Sequence, residues 1–100
     1  MSINTHITSR IRDQLGNADL ERVSTMTFSI LNTVSTHGDR EPLPGEMVGA
    51  ITAAFILTME ACQVPASDAL GMARNIMADA NGRRPEFKAI TEYIKKEVLM

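Results

Sequence analysis

One hundred residues, 44% apolar and 22% charged, have the size and balance of one ordinary globular domain rather than a disordered chain. A formal net charge of −2 implies neither a strongly basic nucleic-acid binder nor an acidic nucleic-acid mimic. A chain of this size is expected to bury roughly 60–70% of its unfolded surface, which permits independent folding with a narrow margin.

In chain order, Ile3, Ile7, Ile11 and Leu15 recur every fourth residue and share one face of a first helix. Gly16 suits its C-terminal end, and Asn17 suits the N-cap of the next segment. There Leu20, Val23, Met26, Ile30, Leu31 and Val34 form a stripe at helical period, with Asp19 and Glu21 near the positive end of the helix dipole. A competing pattern runs through residues 25–30, where Met26, Phe28 and Ile30 alternate with polar residues as in a half-buried strand. The stripe extends over four turns and the alternation over five residues, which favours helix.

His37 to Gly45 contains Gly, Asp and two prolines and reads as a loop, with Pro44 placed to start a third helix. That helix has a bulky apolar face (Met47, Val48, Ile51, Phe55, Met59, Cys62) and a smoother one (Ala50, Ala53, Ala54, Leu57, Ala61). Apolar nearly all round, it belongs in the middle of a bundle. After Pro65 a fourth helix carries Ala66, Ala69, Leu70, Ala73, Ile76, Met77 and Ala80 on a narrow face and stops at Asn81-Gly82. Pro85 opens a last helix with a core stripe of Phe87, Ile90, Ile94 and Val98. The expected fold is all-α, a single compact bundle of about five short helices forming one domain over residues 1–100.

Chemistry-bearing clusters are sparse. His6 and His37 lie far apart and Cys62 is the sole cysteine, so no metal-ligand spacing and no internal disulfide exist. No glycine-rich phosphate loop occurs. A pairing of Cys62 with His37 as nucleophile and base has no local support, since Cys62 lies on an apolar face where burial suppresses the thiolate. The loop His37-Gly38-Asp39-Arg40-Glu41 is the densest polar cluster, so His37, Asp39 and Arg40 are the candidates for any acid–base role. The plainer reading is a solvated connection. Among the helical methionines, Met72 alone lies at the edge of an apolar face, where it could serve a binding surface.

Thr58 to Leu70 loosely resembles the helix-turn-helix motif, with alanine late in the first helix and valine in the turn. The turn glycine is replaced by Cys62-Gln63, and the would-be recognition helix carries Asp68 and one basic residue, Arg74. Phosphate contacts would therefore be few.

Residues 1–82 hold five basic and nine acidic side chains, whereas residues 83–100 hold five basic and three acidic ones. On an ideal helix Arg84, Lys88 and Lys95 fall within about 40° of one another, beside the apolar stripe. With Arg83 and Met72 they are the expected partner-binding residues, because charge at the edge of an interface sets register and encounter rate. The sum of these observations points to a non-enzymatic protein–protein interaction module: an adaptor, regulator or inhibitor that self-associates. By fold-level analogy alone this is the kind of protein found among phage accessory proteins. The alternative is a nucleic-acid-binding regulator built on a degenerate helix-turn-helix around residues 58–77, and third comes an enzyme using the His37 loop. No cofactor is expected. The N-terminus lacks a secretory pattern, and the uncharged stretch Met47–Met59, thirteen residues, is shorter than the ~20 a membrane span needs. The expected location is the cytoplasm, away from membranes.

Overall fold

The computed structural model describes the backbone of residues 2–98 and the side chains of residues 9–97. The expectations for Ile3, Ile7 and Val98 as core residues concern side chains outside that range, as does His6. The described residues form five α-helices: α1 (Ser2–Gly16), α2 (Leu20–Ser35), α3 (Pro44–Cys62), α4 (Ala66–Met77) and α5 (Pro85–Tyr93). A small antiparallel hairpin, β1 (Ala78–Asp79) with β2 (Gly82–Arg83), joins α4 to α5, and the chain continues from α5 into a π-turn at Ile94–Val98. The protein is all-α. Residues 25–30 lie inside α2, so the four-turn stripe decides that segment and the short alternation does not.

Local signals set most of the boundaries. Asp19, not Asn17, is the N-cap of α2: its carboxylate accepts the Arg22 N–H at 3.2 Å. Asn17 instead donates from its side chain to the Asp13 carbonyl at 2.9 Å, closing the end of α1. Pro44 and Pro85 each occupy the first turn of their helix, where a missing N–H costs nothing. The turn between α3 and α4 puts Gln63 in the left-handed region at φ 58°, and the Val64 N–H bonds back to the Met59 carbonyl. This folds Val64 inward, where it is 3% exposed, the most enclosed apolar side chain among those described.

Two helical faces differ from the sequence expectation. In α2, Met26 and Ile30 point outward, 57% and 56% exposed, and the inward face is Leu20, Val23, Ser24, Thr27, Leu31 and Val34. The hydroxyls on the inward face are satisfied within the helix. Ser24 donates to the Glu21 carbonyl and Thr27 to the Val23 carbonyl, so both can sit inside at little cost. The fourth helix ends at Met77 rather than at Asn81, and Ala80 lies in the hairpin turn. Asp79 accepts the Asn81 N–H at 2.8 Å and Gly82 takes φ 108°, so turn chemistry ends the helix early. Leu70, expected on the narrow apolar face, is exposed, as is Val48 on the first turns of α3.

α3 packs against α1, α2 and α4, while α2 also meets α5 and α1 meets α4. Met47, Val64, Ala69, Phe87 and Ile90 are buried together with Ser24. Phe28 stacks against Tyr93, with ring centroids 4.7 Å apart and planes tilted 54°, and the Tyr93 hydroxyl donates to the Asn32 side chain at 3.3 Å. The accessible surface is 7449 Å², against about 5,600 Å² for a compact 11.0 kDa monomer and about 16,000 Å² for the unfolded chain. Folding thus buries little more than half of the available surface, less than chain length alone leads one to expect. The radius of gyration, 15.2 Å, likewise exceeds the ~13 Å of a compact 100-residue domain.

Candidate functional site

The His37 loop is brought together with the start of α3. His37, Asp39 and Arg40 line a cleft of about 570 Å³ between the end of α2 and the first turns of α3, with Glu46 and Met47 on its far wall. Gly38, at φ 81°, turns the chain at its edge. Arg40 donates two parallel hydrogen bonds to the Glu46 carboxylate, at 2.8 and 2.6 Å, and the Leu43 N–H donates a third at 2.9 Å. Glu46 therefore serves as the N-terminal anchor of α3, in place of a capping side chain that Leu43 lacks. The hydrogen bonds from Arg40 and then from Leu43 hold its carboxyl at about 2, well below the ordinary 4.5. A carboxylate so held is a poor proton acceptor near neutrality, and Arg40 is occupied with it. The cleft gathers the polar residues that the sequence singled out, but two of its charged groups face each other rather than a substrate.

The C-terminal basic residues divide differently. Arg84 is the N-cap residue of α5, and its side chain folds back onto α4, where Nε donates to the Ile76 carbonyl at 2.8 Å. Its backbone N–H donates to the Met77 carbonyl, also at 2.8 Å, and Asp79 lies 3.8 Å from its guanidinium. Arg84 thus satisfies the last carbonyls of α4 at the negative end of that helix's dipole. Arg83 reaches Thr91 at 3.4 Å, while Lys88 and Lys95 are exposed. Lys95 sits in the π-turn that follows α5, and Arg84 precedes α5 as its N-cap, so neither lies within the α-helix on which a shared face was expected. Met72 is half-buried in a shallow groove beside the Arg12–Asp68 ion pair, which ties α1 to α4.

The excess of apolar surface that a two-faced third helix leads one to expect lies uncovered. Along α3, Val48 and Leu57 are each 64% exposed and Ile56 is 47% exposed; Leu43, just before it, is 60% exposed. Only Met47 on this helix is buried, and the bulky face beyond it (Ile51, Phe55, Met59, Cys62) is half-buried. The smoother face, read from the sequence as the place for a neighbouring helix, is open along its length. Including Pro44-Gly45-Glu46 and Glu60-Ala61-Cys62, α3 reaches 19 residues, long and apolar enough to cross a membrane by length and composition alone. Among the described residues no group of three or more His, Cys, Asp or Glu side chains is placed to hold a metal ion. Set against known protein families, characterised proteins and solved structures, the chain has no match.

Proposed function

We propose that this chain is a non-enzymatic helical module that acts by binding another protein, as an adaptor, regulator or inhibitor. The observation that carries this reading is the surface excess of roughly a third over a compact monomer of the same mass. Among the described residues, six of the eight exposed large apolar side chains lie on α2 and α3. Exposed apolar area on that scale marks an interaction surface, because water penalises it until something covers it. The polar cleft supports an enzyme less well, since Arg40 and Glu46 neutralise each other. The helix-turn-helix alternative has less support than protein binding. Asp68 stands in the first turn of α4, bound to Arg12, and Arg74 is that helix's basic residue.

The test combines light scattering with fluorescence of an apolar-surface dye such as anilinonaphthalene sulfonate. The expected outcome is either a mass above 11.0 kDa or an 11.0 kDa species that binds dye strongly. A monomer that leaves the dye dark would show that the apolar faces are closed in solution, and the reading would be lost.

A further inference from the structure

The large and small side chains on the outer face of α3 form a pattern that complements itself when reversed. Opposite the buried Met47 and half-buried Ile51, the residues Gly49, Ala50, Ala53, Ile56, Leu57 and Glu60 fall within about 120° of one another on the helix, and all are exposed. A Cβ added at Gly49 would meet nothing within 4 Å, so no contact inside the chain requires glycine at this mid-helix position. We propose that this face binds a second copy of the chain, with the two α3 helices antiparallel and Ala53 opposite Ala53 on the two-fold axis. The inference rests on the protein-binding reading above and names its partner.

In that register Leu57 of one copy lies over Gly49 of the other, and Ile56 over Ala50. Each bulky side chain meets a small one, so the helices approach closely and their side chains interlock. A parallel pairing about the same residue would set Leu57 against Leu57 and leave the glycines facing each other. The charged ends also agree with the antiparallel arrangement. Glu60 of one copy arrives beside Glu46 of the other, where the Arg40 guanidinium, 67% exposed on its side chain, already lies. Arg40 then stands between two carboxylates instead of one, which offsets their mutual repulsion. The two-fold contact is isologous, so each copy uses the same patch and the assembly closes at two. A standard interface covers about 800 Å² on each partner, and the chain as a whole carries an excess of about 1,800 Å² over a compact monomer, so covering this face would remove part of that excess.

The experiment uses the full chain in a Cys62→Ser background. Light scattering at tens of micromolar should give twice the 11.0 kDa chain mass. Ala53→Glu brings two like charges together on the axis while leaving a single chain's packing untouched, so it should weaken pairing roughly 100-fold or more with an unchanged helical circular dichroism spectrum. Register is read separately, by oxidation without any charge change. A mixture of Gly49→Cys and Leu57→Cys chains should form a disulfide-linked dimer, and neither chain alone should do so efficiently. Linkage of each variant to itself but not to the other would establish a parallel pair and overturn the register. An 11.0 kDa mass with strong dye binding would overturn self-pairing while leaving a different protein as occupant. The same mass with no dye binding would remove both readings. A monomer that co-sediments with phosphatidylcholine vesicles would make the occupant a lipid surface and overturn the pairing.

Discussion

Two regions of this small bundle are stabilised in opposite ways. In the corner formed by α4, the hairpin and α5, Ala69, Phe87 and Ile90 are buried, and Arg84 ties off the carbonyls at the end of α4. Among the large apolar side chains described there, only Leu70 is exposed. In α3, the longest helix described, one residue of 19 is buried and large apolar side chains line the outside. A helix with that composition is costly to leave in water. The corner therefore explains how a single chain can hold its shape, and α3 is the helix that the proposed pairing would cover. The buried corner and the proposed pairing face sit on different helices, so they can be perturbed separately.

The largest expected effect is in the corner. Phe87 is 4% exposed, and Phe87→Ala removes a ring from the best-packed part of the molecule, a change that costs about 3–5 kcal/mol in comparable cores. Against a total of about 5–15 kcal/mol for a domain, and a surface this poorly covered, the variant should be largely unfolded at physiological temperature by thermal melt. Leu57→Ala offers the contrast. With its side chain 64% exposed, it should leave the melt of dilute protein nearly unchanged, and a large loss there would mean that the inner and outer faces of α3 have been exchanged.

A smaller effect separates the basic residues at the C-terminal end. Arg84→Met keeps the length of the side chain but leaves the Ile76 carbonyl without its charged donor, so a loss of about 1–3 kcal/mol is expected. Lys88→Glu with Lys95→Glu changes only exposed positions and should move stability by no more than about 0.5 kcal/mol. From the sequence, all three residues belong to one solvent-facing strip, and replacing them together should leave the fold intact. The structure separates them, because Arg84 is bound into the fold. If Arg84→Met melts like the wild type, the capping role is wrong and the residue returns to the surface. A partner's affinity should then be tested on the lysine pair alone, where any loss reports binding and not unfolding.

The helices were legible because periodicity survives errors of detail. Pro44, Pro65 and Pro85 mark helix starts by removing an N–H, and that constraint is local. Which face of α2 turns inward was not legible. Met26 and Ile30 belong to the same helical stripe as Leu31 and Val34, and periodicity does not say that Ser24 and Thr27, satisfied within their own helix, take the inward positions instead. The end of α4 was missed for a related reason: the helical stripe continues through Ala80, but Asp79 and Gly82 form a turn that the stripe does not encode. For the candidate cleft, His37, Asp39 and Arg40 could be chosen from composition. Glu46 could not be matched to Arg40 without knowing that the Pro42–Pro44 segment brings the start of α3 back over the loop. The two-faced third helix did signal more apolar surface than five short helices bury, but composition does not say which apolar residues find neighbours.

The remaining prediction concerns the one place where acid should act on the start of α3. Glu46 has a folded-state pKa of about 2 against an ordinary 4.5, lowered first by its hydrogen bonds from Arg40 and then by the Leu43 N–H. A depressed carboxyl pKa stabilises the fold above the unfolded value, and that stabilisation fades as pH falls from about 4.5 toward 2. The pair is open to solvent, so the effect is modest and screened by salt. Its signature is the shape of the pH dependence rather than its size. Glu46→Gln keeps the side chain's length and a carbonyl acceptor for Leu43 but cannot titrate. Its stability, followed by denaturant melts, should therefore change less between pH 5 and pH 2.5 than that of the wild type. Arg40→Gln removes the guanidinium that holds the carboxyl down, so the Glu46 titration should move back toward 4.5 when followed by carboxyl NMR. A wild-type Glu46 titrating near 4.5 would show that the Arg40 clasp is absent in solution. The same result would withdraw Arg40 from its place between the two carboxylates in the paired form.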